Sequence, residues 1–213
     1  KVQISEEGAE LQSIFGKSTS IEYLWQGDPW YWSGKAPNLF PFIARLYKNT
    51  YTYGGKEYSM RIHGFLPISK LTVSSQGDDE CTLYLEDSEE TLKSYPFKFR
   101  FDLNYKLEGA RLTVTATVHN KSDDAMYFAL GGHPGFNVPL EKGLAFEDYE
   151  LVFSDKCSPD QIIFDNDLQV SGDRSPIALE NGTTLKLHHE LFYSDAVVLK
   201  ESSGKVSLSS PKG

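Results

Sequence analysis

Residues 97–120 read FKFRFDLNYKLEGARLTVTATVHN, and the period of this stretch decides the fold. Phe97, Phe99, Phe101, Leu103 and Tyr105 alternate with Lys98, Arg100, Asp102, Asn104 and Lys106. Alternation of period two puts one set on a buried sheet face and the other in water. Beyond a turn at Glu108-Gly109, Leu112, Val114, Ala116 and Val118 alternate with Thr113, Thr115 and Thr117. The stretch therefore predicts a long antiparallel hairpin. The same signal recurs along the chain: Gly54-Gly55 separates two tyrosine-rich strands, Asn181-Gly182 precedes TTLKLHHELF, and CTLYLED supplies a further strand.

Helical signal is confined to DSEETLKS, with Asp87 or Ser88 as the cap, Glu89 and Glu90 in the first turn and Pro96 as the stop. No alternating βαβ pattern occurs, and GxGxxG and P-loop patterns are absent, which argues against a doubly wound nucleotide-binding fold. The expected architecture is all-β, a large antiparallel β-sandwich with one short helix, with barrel-like closure as the alternative. A chain of 213 residues fits a single domain of this class, residues 1–213.

Composition narrows the partners. Thirty acidic against 21 basic residues leave a net charge of -9, and no run of lysine or arginine forms a local basic patch, so nucleic acid is not an expected partner. No stretch approaches the roughly 18 consecutive apolar residues of a membrane span, and KVQISEEGAE lacks the segments of a signal peptide. The expectation is a cytoplasmic protein with no membrane partner. Cys81 and Cys157 have no metal-site spacing and read as reduced thiols. Asn120-Lys121-Ser122 and Asn181-Gly182-Thr183 match a glycosylation acceptor pattern but read as turns.

Five histidines are the candidates for chemistry. His188 and His189 are adjacent in a predicted strand, so they point to opposite faces and cannot act together. His119 closes a strand beside a polar turn, a solvent-facing or hydrogen-bonded setting. His63 in HGF and His133 in LGGHPGFNVPL remain. Around His133, Gly131, Gly132, Pro134 and Gly135 predict a sharp change of direction in a backbone geometry other residues resist. HxH and HExxH are absent, so a dedicated metal site is weakly supported, and without GxSxG there is no nucleophile elbow. Acid–base chemistry suits imidazole, which titrates close to working pH.

Three stretches in order, YLWQGDPWYWSGKAPNLFPFIARLY, IHGFLPISKL and FALGGHPGFNVPL, resemble the aldose 1-epimerase (galactose mutarotase) family, in particular its bacterial LacX-like branch. The similarity runs from about Tyr23 to about Leu199. It implies a galactose mutarotase-like β-sandwich and an isomerase that interconverts the α and β anomers of an aldohexose or hexose phosphate by ring opening. By the same resemblance His133 is the general acid to the ring oxygen and His63 hydrogen-bonds that region of the sugar. Arg45 forks to hydroxyls and Asp195, in SDAVVL, accepts from others. No cofactor is implied, and the only implied partner is a small sugar.

The residues leave alternatives beside these roles. Arg45 could be a half-buried structural ion pair, and Asp195 a turn aspartate. Trp25, Trp30 and Trp32 read as core and not as sugar platforms. Departures from the family pattern also matter. Ala44 stands where better-known members carry asparagine, while Gly132 and Gly135 replace an asparagine and a tyrosine, implying a more open pocket. The family's basic glutamate, followed by Pro-Trp, has no match in these residues, and Glu201 in LKESSG does not fit. Truncation at the C-terminus is the expectation, and the base is unassigned. A sugar-binding sandwich without turnover and a metal enzyme using His63, His133 and a carboxylate are the competing readings.

Overall fold

The alternating stretch forms the hairpin its period predicts. The computed structural model describes residues 1–212, and Phe99–Glu108 and Arg111–Asn120 pair antiparallel along their whole length, from Arg111 opposite Glu108 to Asn120 opposite Phe99. Because Glu108 is still paired, the turn falls at Gly109-Ala110, one residue later than the sequence suggests. Glu80–Glu86 lies on the other side of Phe99–Glu108, and Thr72–Gln76 completes a four-stranded sheet. Alternation predicts burial well in the central strand, where Phe99, Phe101, Leu103 and Tyr105 are buried. It predicts less well in Arg111–Asn120, where Val114 is 46% exposed. That strand is at the sheet edge, with a neighbour on one side only.

The chain packs as two units, Lys1–Asn137 and the segment from Val138 onward. In the first, the sheet's inner face carries an aromatic core around Phe40, which has no exposed surface. Its ring meets those of Phe65, Tyr95, Phe99, Phe101 and Phe128, with centroids between 5.1 and 6.0 Å apart. One buried polar knot sits in this core. The Asn38 side chain donates to the carbonyls of Gly8 and Ala9 and to the Tyr105 hydroxyl, which in turn donates to Ala9 at 2.6 Å. On the outer face Arg100 forks onto Asp102 and lies over the Tyr84 ring, and His119 Nε2 sits 3.4 Å from Asp102, so His119 belongs to a surface charge network.

The only α-helix among the described residues is Glu89–Ser94. Its cap is Ser88, whose hydroxyl accepts from the Thr91 amide while the Thr91 hydroxyl accepts from the Ser88 amide. Thr50–Tyr53 and Lys56–Ser59 form the hairpin expected around Gly54-Gly55.

In the second unit Glu150–Phe153 runs between Thr184–Lys186 and Val206–Ser209, and Asp160–Phe164 between Val170–Pro176 and Leu199–Lys200, all antiparallel. The strand expected through His188 and His189 is corrected here. Pairing ends at Lys186, and His189–Phe192 is a single 3-10 turn closed by the Leu191 amide on the His188 carbonyl. His189 stacks on Phe146 at 4.6 Å, a contact a straight strand would not make. Cys81 and Cys157 are free thiols. No helix among the described residues is long and apolar enough to cross a membrane.

Tyr105→Phe removes the acceptor for Asn38 and the donor to Ala9 without changing the packed ring. Asn38 and Ala9 stay paired with each other, so the loss is that of two hydrogen bonds, about 0.5–1.5 kcal/mol each, and thermal melts should show the midpoint falling by several degrees, at roughly 2–4 °C per kcal/mol for a chain of this size.

Candidate functional site

His133 is held by a strip of chain threaded between two others. Gly131 and Gly132 pair with Leu39 and Asn38, the His133 amide donates to the Pro37 carbonyl at 3.0 Å and the Gly135 amide to Lys35 at 2.8 Å. On the strip's other side the Trp25 amide donates to Gly135, Phe136 bridges to Leu24, and Asn137 bonds to Tyr23 through its amide and to Glu22 and Leu24 through its side chain. Backbone partners on both sides fix the Cα of His133 and leave its imidazole exposed.

This arrangement corrects the reading of the glycines. None of Gly131, Gly132 and Gly135 has a positive φ, so they are not needed to turn the chain. Closeness matters instead, above all at Gly135. A Cβ on Gly131 would lie 3.0 Å from the Ile43 side chain, and one on Gly135 would lie 3.0 Å from both Trp25 Cβ and Trp32 Cζ3. The space is therefore not open at Gly135, as the loss of a tyrosine implied, because Trp32 occupies it. The Trp32 ring packs 5.1 Å from the His133 ring, and its loop is tied by the Trp25 indole N–H to the Trp32 carbonyl and by Asp28 to the amides of Trp30, Tyr31 and Trp32.

The left-handed backbone sits instead at the second histidine. Ala44 (φ 60), His63 (φ 66) and Gly64 (φ 74) all lie in that region, which ordinary side chains resist. At Gly64 a Cβ would also collide with the Phe40 carbonyl, and Phe40 and Gly64 form a parallel bridge there. Ala44 and His63 clasp one another. The His63 amide donates to the Ala44 carbonyl at 2.9 Å, and the Ala44 amide donates to His63 Nδ1 at 3.1 Å. The clasp brings His63 to His133, with ring centroids 5.5 Å apart at a steep interplanar angle of 71°.

The structure thus unites His63, His133 and Arg45 in one unit. Burial depresses the His63 pKa from a histidine's ordinary 6.5, and His133, Arg61 and Arg45 add to the shift because a second positive charge beside them is unfavourable. Arg45 is exposed and, among the described residues, pairs with no carboxylate, so the half-buried ion pair is not what holds it. Asp195 belongs to the second unit. It is an exposed turn residue at φ 82 whose carboxylate accepts from the Ala196 amide at 2.6 Å. A cavity of about 280 Å³ opens beside His133, lined in part by Asn38, Phe101, Leu130, Gly132 and Pro134, and a larger cleft of about 770 Å³ near Lys1, Asp78 and Cys81 contains no histidine. Of the two, the first is the one that borders a histidine.

Sequence reasoning missed Trp32 and Arg61. For Trp32 a signal existed: QGDPWYWSGK surrounds its aromatics with turn formers, and Trp30 is 90% exposed, unlike a core residue. For Arg61 the signal was its place two residues before His63 in RIHGF.

The comparisons agree with this architecture. A family model described as Aldose 1-epimerase matches residues 1–189. The chain belongs to the aldose 1-epimerase family. The plasmid-encoded Protein LacX of Lactococcus lactis subsp. lactis is 34% identical over 99% of this chain and 73% of its own length. Among solved structures, a galactose mutarotase related enzyme from Lactobacillus acidophilus aligns at a TM-score of 0.92 with 36% identity, covering 99% of this chain and 70% of that one. A galactose mutarotase-like protein from Lactobacillus casei aligns at 0.90 with 37% identity, covering 100% and 73%. The fold is therefore the galactose mutarotase-like antiparallel β-sandwich.

A depressed His63 pKa has a readable sign. Below 6.5 the unfolded chain protonates this histidine while the folded one resists, so the stability present above that pH declines as pH falls. Melts between pH 7.5 and 5 should show the parent losing stability more steeply than His63→Gln, which cannot take up the proton.

Proposed function

We propose that this protein is an aldose 1-epimerase-like isomerase acting on an aldohexose or a hexose phosphate. The observation that carries the reading is the His63–His133 pair, two imidazoles brought edge to face by separate backbone devices, with a small cavity bordering His133. In the reaction, His133 in its protonated form gives a proton to the ring oxygen as the C1–O5 bond breaks. A base removes the proton of the anomeric hydroxyl, and C1 becomes the aldehyde carbon. Rotation about C1–C2 and ring closure from the other face return both protons and yield the opposite anomer.

The roles of His133 and Arg45 have physical support. Histidine can hold and release a proton near neutral pH, and His133 presents an exposed ring from a backbone fixed on both sides. Arg45, exposed and without a carboxylate partner among the described residues, offers a planar fork of donors suited to adjacent hydroxyls. We assign Asp195 the acceptor role that the family resemblance implies. No residue is assigned as the base. Ring opening already proceeds in water, so general acid–base catalysis of roughly 10²–10⁴-fold by positioned groups suffices for an enzyme of this kind.

Polarimetry of freshly dissolved α-galactose and α-glucose, with NMR anomer exchange for galactose 6-phosphate and glucose 6-phosphate, tests the reading. Acceleration with at least one of the four that falls about 10²-fold or more in His133→Gln is expected. If none of the four equilibrates faster, while calorimetry shows one of them binding, the protein is a sugar-binding sandwich without turnover.

A further inference from the structure

The clasp between Ala44 and His63 fixes more than position. A neutral imidazole carries one N–H, and its other nitrogen is an acceptor. Here Nδ1 accepts the Ala44 amide at 3.1 Å, so the proton of neutral His63 must sit on Nε2. A proton on Nδ1 would point at another proton and break the clasp, and imidazolium, which carries both, would break it too. Ala44 holds its amide in place because its own carbonyl receives the His63 amide at 2.9 Å.

We propose that Ala44 is a positioning residue that locks His63 as the neutral tautomer bearing its proton on Nε2, making His63 a fixed hydrogen-bond donor to the sugar while His133 alone carries the mobile proton. The proposal rests on the isomerase reading for its sugar, though the tautomer itself does not. Every ionisable group acting on His63, namely His133, Arg61 and Arg45, is cationic or becomes so, and each favours the neutral ring. The two histidines therefore divide the labour. One donates a hydrogen bond without changing charge, and the other transfers the proton. The arrangement holds Ala44 at a left-handed φ of 60, a conformation that non-glycine residues resist.

Two measurements on the full chain test the assignment. Long-range ¹H–¹⁵N NMR of the imidazoles should show His63 at neutral pH with a pyridine-like Nδ1 and a protonated Nε2, in the parent and in Ala44→Gly, which keeps the amide. A His63 ring protonated on Nδ1, or charged at neutral pH, overturns the proposal whether or not any sugar reacts. The second measurement compares His63→Gln, whose amide nitrogen reaches the Nε2 position, with His63→Asn, whose amide reaches only the Nδ1 position. Gln should retain at least about tenfold more anomer-exchange activity, the scale of one hydrogen bond to a developing charge. Asn suits a positive φ better than Gln does, so a deficit in Asn with an undiminished melting temperature is not a folding defect. Equal activities overturn the donor role. The expected tautomer with no exchange on any sugar refutes the isomerase reading and leaves the lock standing.

Discussion

Phe40 has its ring at the meeting point of five other aromatic rings, and the Leu39-Phe40 backbone touches both halves of the candidate site. Leu39 pairs with Gly131, two residues before His133, and Phe40 itself bridges to Gly64, immediately after His63. Two histidines far apart in sequence are thus positioned from adjacent buried residues, Leu39 and Phe40. The Phe40 ring is seated on Phe99 and Phe101 of the central strand, so the alternating hairpin is the foundation on which the geometry of both imidazoles rests. An aromatic side chain suits this hub because it buries a large area with few rotatable bonds to order.

The arrangement also separates what must be rigid from what must be accessible. Backbone pairing on both edges of residues 131–137 and the clasp at Ala44 use main-chain groups, leaving the side chains of His133, Arg45 and Arg61 exposed for a ligand. The surrounding protein is acidic, with a net charge of -9, while the charged groups acting on His63 are arginines and a histidine. The site is a local exception to the protein's overall charge, with little to raise the affinity of His63 for a proton.

Much of this was legible in the sequence, and the remainder was not for definite reasons. Period-two alternation over residues 97–118 reports sheet pairing directly, and the serine cap with its following acidic residues reports the helix. The settings of His63 and His133 and the family resemblance singled both out as candidates, and the structure brings their rings together. The role of the glycines was not, since composition cannot distinguish a glycine that permits positive φ from one that makes room for Trp32. Their unusual neighbours suggested a turn, whereas the strained backbone is at Ala44 and His63, residue types that carry no such signal. The termination of pairing at Lys186 was hidden too, because His188 and His189 continue an apolar–polar pattern that the 3-10 turn interrupts.

Ala44 and His63 are 19 residues apart, and their reciprocal bonds close the base of an excursion that contains the Thr50–Tyr53 and Lys56–Ser59 hairpin. A loop pinned at its base transmits little of what happens at its tip, and lengthening it adds an entropy cost that grows only with the logarithm of its length. The hairpin is also seated on the core by Tyr51 and Tyr53, which meet the rings of Phe42 and Phe97, while its Gly54-Gly55 tip has open space around it. Its tip can lengthen, shorten or change composition between related proteins while the two imidazoles keep their spacing, so this is where the fold can diversify its surface without retuning its chemistry.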